Sequence, residues 1–151
     1  MDNDDVIDCL NDLIDTSKDG EYGFRTSAEY LHDPQTKQLF LARAEECRNA
    51  ASQLQALVRE LGGKAEDGGT AAGAVHRGWV AVKSKLANCS DREILEDTER
   101  AEDRAVASYR AALKKDLPPS IYSVVQLQAE GVRRNHDQVR ALRDQARTVS
   151  V

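Results

Sequence analysis

The feature that most constrains the fold is a repeat of apolar residues at three- and four-residue spacing. Its clearest stretch lies between residues 34 and 61, where the apolar positions are Phe40, Ala44, Cys47, Ala51, Leu54, Val58 and Leu61. This spacing places all of these side chains on one face of an α-helix. An apolar face of that length must pack against other helices to be shielded from water. The sequence therefore predicts long helices that each bury one side.

The same repeat predicts four long helices and one short helix. The long helices cover about residues 4–31, 34–61, 91–115 and 119–147, and the short helix covers about residues 71–87. Pro34 disfavours helix in the residue before it, Gly62 is a typical residue just after a helix, and Ser90 with Glu93 forms a capping box. No alternating polar and apolar pattern survives, so we expect no β-sheet.

The lengths of the helices and of their connections predict how the helices are arranged. Tight turns join the first helix to the second and the third to the fourth, which gives two antiparallel hairpins. The connection between the hairpins is long enough to run the length of the bundle, so the second and third helices can be parallel. This arrangement is an all-α, ferritin-like up-down four-helix bundle with a long crossover that contains the short helix. We expect one domain over residues 1–151.

Composition excludes several classes of function. The formal net charge is −5, and no basic run is longer than Arg133-Arg134, so we expect no nucleic-acid partner. No apolar run approaches the roughly 20 residues that span a bilayer, and the start of the sequence is acidic where a signal peptide would be basic. We therefore expect a cytoplasmic protein without a membrane partner. Three widely spaced cysteines match no disulfide or zinc pattern, and these are Cys9, Cys47 and Cys89.

Polar residues interrupt each apolar face, and they are the candidate functional residues. They are Glu21 on the first helix, Arg43 and Glu46 on the second, Glu99, Glu102 and Tyr109 on the third, and Gln128, Asn135 and His136 on the fourth. Counting residues from the helix ends of a one-crossover bundle places Glu21, Glu46, Glu102 and His136 at one depth. Because a buried charge needs a partner, we expect these groups to interact.

Two interpretations of this layer remain. In the first, Arg43 bridges Glu21 and Glu102, while three further side chains complete a buried polar network; these are Tyr109, Gln128 and Asn135. In the second, iron or manganese is bound by Glu21, Glu46, Glu99, Glu102 and His136. A complete di-iron centre needs Glu-x-x-His on each of two helices, whereas the sequence has Glu46-x-x-Asn49 and Arg133-x-x-His136. We therefore favour the network and expect no cofactor.

Two glycines, Gly20 and Gly23, flank Glu21 within the first predicted helix. Each glycine costs a helix about 1 kcal/mol relative to alanine. We expect a neighbouring backbone or a bulky group to approach the helix closely at this point, or the helix to bend there. A local break, in which Asp19 and Gly20 form a turn, is a further interpretation.

Several segments together resemble a bacterial family of ferritin-like four-helix-bundle proteins, domain of unknown function 2383. They are DVIDCLNDLIDTSKDGEYGF, LGGKAED, HRGWVAVKS, ERAEDRAVASY, ALKKDLPP and NHDQVRALRD. The resemblance covers nearly the whole chain. It implies a cytoplasmic bacterial bundle of the ferritin-like type, with a link to stress physiology, but it brings no established activity. The broader ferritin-like superfamily implies iron or oxygen chemistry, and this sequence departs from its paired Glu-x-x-His pattern.

Two classes of function follow. We favour a non-enzymatic bundle that self-associates, as a homodimer, or binds a partner protein. The alternative is a protein that binds iron or manganese at an incomplete di-iron-type site.

Overall fold

Four long α-helices make up most of the structure, a computed structural model that describes residues 1–66, 83 and 85–149. The helices are α1 (Asn3–Tyr30), α2 (Pro34–Glu60), α3 (Asp91–Leu113) and α4 (Pro119–Val149). Each end lies within two residues of its predicted position. The described residues contain no strand, as expected. The short helix predicted over residues 71–87 falls largely outside the described residues.

The helix boundaries lie where the local sequence predicts them. The side chain of Ser90 accepts the backbone N–H of Glu93, and the Glu93 carboxylate accepts that of Ser90, so the predicted capping box begins α3. At the end of α2, Gly62 has a φ of +79°, a conformation that glycine adopts without strain. The N–H groups of Gly62 and Gly63 then donate to carbonyls in the last turn of α2, at 2.9 and 3.0 Å.

Contacts at both ends of the bundle fix its topology. The carboxylate of Asp91, at the start of α3, accepts hydrogen bonds from the backbone N–H groups of His32 and Asp33 at 2.8 and 2.9 Å. At the other end, Asn3 donates to the carbonyl of Leu61 at 2.9 Å. The end of α2 and the start of α3 therefore lie at opposite ends of the bundle, and α2 and α3 are parallel. This confirms the predicted one-crossover, ferritin-like arrangement.

The core consists of two apolar clusters at opposite ends of the bundle. One contains Val6, Leu10, Leu13, Ile14, Leu54, Val58 and Val125. The other contains Phe24, Ala28, Phe40, Ala44, Ile94, Leu95 and Val139. Side chains with polar groups lie between them, so the candidate site occupies the middle of the bundle. Each helix keeps a polar outer face, and none of the described helices is long and apolar enough to cross a membrane.

Candidate functional site

Glu102 is a buried carboxylate in the middle of the bundle. It occupies the inward face of α3, in line with Leu95 and Tyr109, and only 6% of the residue is exposed. Its Oε1 atom has no hydrogen-bond partner. Burial raises the pKa of Glu102 to about 7, although the nearby charges of His136 and Arg43 act to lower it. This carboxyl group is therefore held in a conformation that leaves one buried oxygen unsatisfied.

Arg43 makes its hydrogen bonds along the seam between α2 and α4. Its guanidinium donates to Glu46 Oε1 at 2.6 Å and to the side chain of Gln138. Asn135 donates to the other oxygen of Glu46 at 3.1 Å. Both carboxylate oxygens of Glu46 are thus hydrogen-bonded, and this part of the predicted network joins α2 to α4 near the surface, since the Glu46 side chain is 53% exposed.

The predicted bridge from Arg43 to Glu21 and Glu102 is wrong. Glu21 pairs instead with Arg25, four residues later on α1, at 2.8 Å. A partner on the same helix is always within reach, whereas Arg43 would have to cross the bundle. Glu21, Glu46 and Glu102 nevertheless share one neighbourhood, because the charges of all three act to raise the pKa of Cys47.

Tyr109 and Gln128, both predicted members of the network, form a second polar group. The Tyr109 hydroxyl contacts Ser17 Oγ at 3.2 Å and donates to Gln128 Oε1 at 2.9 Å. The amide of Gln128 then donates to Gln53 Oε1 at 2.9 Å and to the carbonyl of Ala50 at 3.3 Å. This chain of hydrogen bonds runs from α1 through α3 and α4 to α2.

Three metal-compatible side chains meet where α3 faces α4. His136 Nε2 lies 2.5 Å from Asp103 Oδ1 and 3.9 Å from Glu99 Oε1. One ligand atom from each of the three residues falls within 4.8 Å of the others. The side chains of Glu99 and His136 are 12% and 13% exposed, whereas that of Asp103 is 58% exposed. The cluster therefore lies just below the surface, with Asp103 on its solvent side.

Neighbouring charged residues surround this cluster. The other ring nitrogen of His136, Nδ1, lies 3.2 Å from Asp137 Oδ1. Arg143 donates to Glu99 Oε2, and Glu99 Oε1 lies 3.9 Å both from His136 Nε2 and from Arg140 Nε. The ring and the inner carboxylate are thus each held by a second charged group.

The structure brings together only part of the predicted metal-binding set. It places Glu99 beside His136, and it adds Asp103, which sequence reasoning missed. Asp103 follows Glu99 by four residues and so lies on the same face of α3, a signal that could have identified it. Glu21 and Glu46 do not belong to this group, because their carboxylates are paired elsewhere. Glu102, the remaining predicted ligand, lies outside the group as well and faces the interior of the bundle.

A cavity of about 660 Å³ lies between the two apolar clusters. All four helices line it. Small or apolar residues form much of its wall, and these include Gly20, Gly23, Phe24, Ala101, Ala105 and Val132. Glu102 and Cys47 also line the cavity.

Gly20 lies against the side chain of Cys47. A Cβ atom at Gly20 would lie 3.0 Å from Cys47 Sγ, closer than side chains normally approach one another. The expected close approach is therefore found, between α1 and α2. The alternative of a local break is wrong, because α1 continues through Gly20 and Gly23 without interruption.

Comparisons with known proteins agree with this fold. The sequence profile of a family described as Domain of unknown function (DUF2383) matches residues 5–115. The structure is similar to that of a dodecameric thioferritin, the bacterioferritin-related protein from Bacteroides fragilis, with a TM-score of 0.77. The similarity covers 99% of this chain and 91% of that chain at 17% sequence identity, so it concerns the fold alone. No curated protein matches this sequence.

A ferritin-like fold implies a pair of metal ions inside the bundle, and the interior of this bundle does not fit such a pair. Both oxygens of Glu46 are hydrogen-bonded, one of them to the Arg43 guanidinium, whose positive charge would repel a cation. A di-iron site requires a histidine three residues after the glutamate, and here that position is Asn49, whose side chain is exposed. The donors of Glu99, Asp103 and His136 instead fit a single ion at the α3–α4 seam.

Proposed function

The chain belongs to the DUF2383 family, and on that premise we propose that its bundle binds one divalent transition-metal ion, iron or manganese, at Glu99, Asp103 and His136. The observation that carries the proposal is the convergence of one imidazole and two carboxylates from α3 and α4, with ligand atoms within 4.8 Å of one another.

The chemistry of these donors favours a first-row divalent ion. Carboxylate oxygens suit manganese and ferrous iron, and imidazole nitrogen suits iron. Ligating histidines commonly place the second ring nitrogen against a carboxylate, which fixes the orientation of the ring. Asp137 stands in that position beside His136 Nδ1. The ligand set and its supporting contact thus both match a metal site.

The surroundings of the cluster support reversible binding from solvent. Asp103 is largely exposed and gives an ion a route of entry. Arg143 engages one oxygen of Glu99 and reduces the net negative charge of the cluster. We therefore expect weaker binding than at a site built from carboxylates without a neighbouring cation.

Titration of metal-free protein with Mn²⁺, followed by electron paramagnetic resonance, tests the proposal. Free Mn²⁺ gives a sharp signal that broadens on binding, so the number of bound ions is measured directly. We expect about one ion per chain, as for a mononuclear site. His136→Gln should abolish binding. His32→Gln is the matched control, because His32 also contacts an aspartate but lies in the exposed α1–α2 turn, and it should bind as the wild type does.

Equal binding by the wild-type protein and His136→Gln would contradict the proposal. Loss of binding in His32→Gln alone would place the ion at the α1–α2 turn and would contradict it as well.

Self-association is a second proposal. Leu127 on α4 is 69% exposed, far more than the other large apolar side chains of the described residues. The similar thioferritin is dodecameric, which supports assembly of the fold without fixing the number of copies. The homodimer, the cytoplasmic location and the link to stress physiology stay predictions.

A further inference from the structure

The cavity in the middle of the bundle is not used by the proposed metal site. Its volume of about 660 Å³ falls within the range of organic-ligand pockets, about 300–1,000 Å³. A single metal ion would leave most of this volume unfilled. Phe24, Ala105 and Val132 supply apolar wall. The size and the wall therefore suit a small organic molecule with an apolar body.

Glu102 determines the polar end of such a molecule. The residue is 6% exposed, lines the cavity, and has a buried carboxylate oxygen without a hydrogen-bond partner. An unsatisfied buried carboxylate is expensive, and a cationic donor compensates it best. The cations whose charges act on Glu102 are His136 and Arg43, and neither lines the cavity. Arg43 donates to Glu46, and its buried Nε atom has no partner and does not reach Glu102.

The remaining charges of the wall do not replace that donor. Glu46 also lines the cavity, but both of its oxygens are hydrogen-bonded. Lys85, Arg100 and Arg104 line the outer edge of the cavity, where each of these residues is exposed. The deep part of the cavity thus presents the Glu102 carboxyl group to a ligand.

We propose that the cavity binds a small organic cation, an apolar molecule with one ammonium group that donates to the Glu102 carboxylate. The exposed edge of the cavity, which Asp19, Lys85 and Arg104 line, gives it a route of entry.

Calorimetric titration of the full-length protein with hexylammonium, in buffer that contains a chelator, tests this proposal. Hexanol and hexanoate are matched probes with the same chain and a neutral or negative head. We expect saturable binding of hexylammonium, binding of hexanol weaker by about tenfold or more, and no binding of hexanoate. Glu102→Gln keeps the shape of the side chain. It should weaken the binding of hexylammonium by about tenfold and leave the binding of hexanol unchanged.

Two further variants separate the cavity from the rest of the surface. Ala101→Leu fills part of the cavity and should weaken the binding of both hexylammonium and hexanol. Ala107→Leu places the same side chain at an exposed position of α3 and should change neither. His136→Gln should no longer bind Mn²⁺ but should bind hexylammonium as the wild type does. The failure of one proposal is therefore distinguishable from the failure of the other.

Three results would overturn the proposal. They are no saturable binding of hexylammonium, equal affinity of hexylammonium for the wild-type protein and Glu102→Gln, and hexanol binding as tightly as hexylammonium.

Discussion

At the scale of the residue, Glu102 shows how an interior charge affects stability. Burial raises the pKa of its carboxyl group from 4.5 to about 7. The charges that face it are His136 from α4, Arg43 and Glu46 from α2, and Asp103 from its own helix. The opposing charges do not offset the loss of hydration, so the folded protein binds a proton here more tightly than the unfolded chain does.

The first prediction is a fall in stability between the two pKa values of Glu102. Between pH 4.5 and about 7 the folded state keeps the proton that the unfolded state has lost, so the free energy of unfolding decreases as pH rises. The total effect is of order 3 kcal/mol, from the size of the pKa shift. Urea denaturation of metal-free wild type and Glu102→Gln at several pH values isolates it. The free energy of unfolding of the variant should rise relative to that of the wild type as pH rises through this range.

A difference between wild type and Glu102→Gln that does not change from pH 5 to pH 8 would contradict this prediction. Carboxylates that do not interact with Glu102 contribute equally to both proteins and cancel.

The second prediction concerns two glycines within helices. Gly131→Ala should raise the free energy of unfolding by about 1 kcal/mol, the helix-propensity gain, because the added Cβ meets nothing closer than 3.7 Å. Gly20→Ala should fall short of that gain by about 1 kcal/mol or more, because its Cβ would crowd Cys47 Sγ at 3.0 Å. Thermal or urea unfolding of both variants measures the difference.

A double-mutant cycle with Cys47→Ala checks the cause. The two substitutions should couple favourably, because removal of the sulfur relieves the crowding. Additive effects of Gly20→Ala and Cys47→Ala on the free energy of unfolding would show that contact with Cys47 does not reduce the stability of Gly20→Ala.

The sequence predicted which residues turn inward more reliably than it predicted their partners. Glu102, Tyr109 and Asn135 are buried as their helical positions indicate, because a period of 3.6 residues fixes the direction of each side chain. The partner of Arg43 could not be predicted, since a long flexible side chain reaches several acceptors at similar energy. Asp103 was missed because it lies outside the apolar stripe.

At the scale of the element, the helix ends were predictable because capping is local. Ser90 with Glu93, Pro34, and Gly62 each act within four residues of a boundary. The contact that joins the α1–α2 turn to α3 is different in kind. Asp91 reaches residues that are nearly 60 positions away in sequence, at 2.8 and 2.9 Å, so no local pattern indicates it.

The third prediction concerns this contact. Asp91→Asn should lower the free energy of unfolding by about 1–2 kcal/mol at pH 7, because an amide oxygen replaces the two charged oxygens that accept from His32 and Asp33. The effect lies in the lower part of the range for hydrogen bonds to charged groups, since a quarter of the side chain is exposed. Asp116→Asn, at an exposed acidic residue of the α3–α4 turn, is the matched control and should change stability little.

The effect of Asp91→Asn should also depend on pH. Partial burial acts to raise the pKa of Asp91, but the hydrogen bonds from His32 and Asp33 outweigh burial and hold the pKa below its ordinary value of 3.8. The stabilisation is therefore complete above that value and disappears as pH falls through the lower pKa of the folded state. An undiminished difference between wild type and variant at pH 2 would contradict this account.

At the scale of the whole molecule, the lengths of the helices and of their connections predicted the topology. Equal helices, two tight turns and one long connection allow few compact arrangements, and the one-crossover bundle is among them. The contacts between α2 and α4 and the size of the cavity were not predictable. Side chains such as Asn135 and Glu46 join α2 to α4 through hydrogen bonds, and the size of the cavity beside them depends on small residues whose placement only the assembled bundle reveals.

The final prediction concerns assembly of the whole chain. Leu127 exposes 69% of its surface on α4, and burial of a leucine side chain contributes about 1.5–3 kcal/mol. If a second copy covers this residue, sedimentation velocity at micromolar concentration should show a species larger than one chain. Leu127→Glu should shift it towards the monomer, since a carboxylate in an apolar contact loses its hydration without gaining a partner.

Ser123→Glu is the control for this experiment, because Ser123 is exposed one turn before Leu127 and receives the same charge. A general effect of added charge would weaken association equally in both variants, whereas contact through Leu127 makes Leu127→Glu the more disruptive by about tenfold or more in the association constant. A monomeric wild-type protein, or a Leu127→Glu protein that associates as the wild type does, would rule out this contact as the basis of assembly. Either result would leave the metal site at Glu99, Asp103 and His136 unaffected, since all three ligands come from one chain.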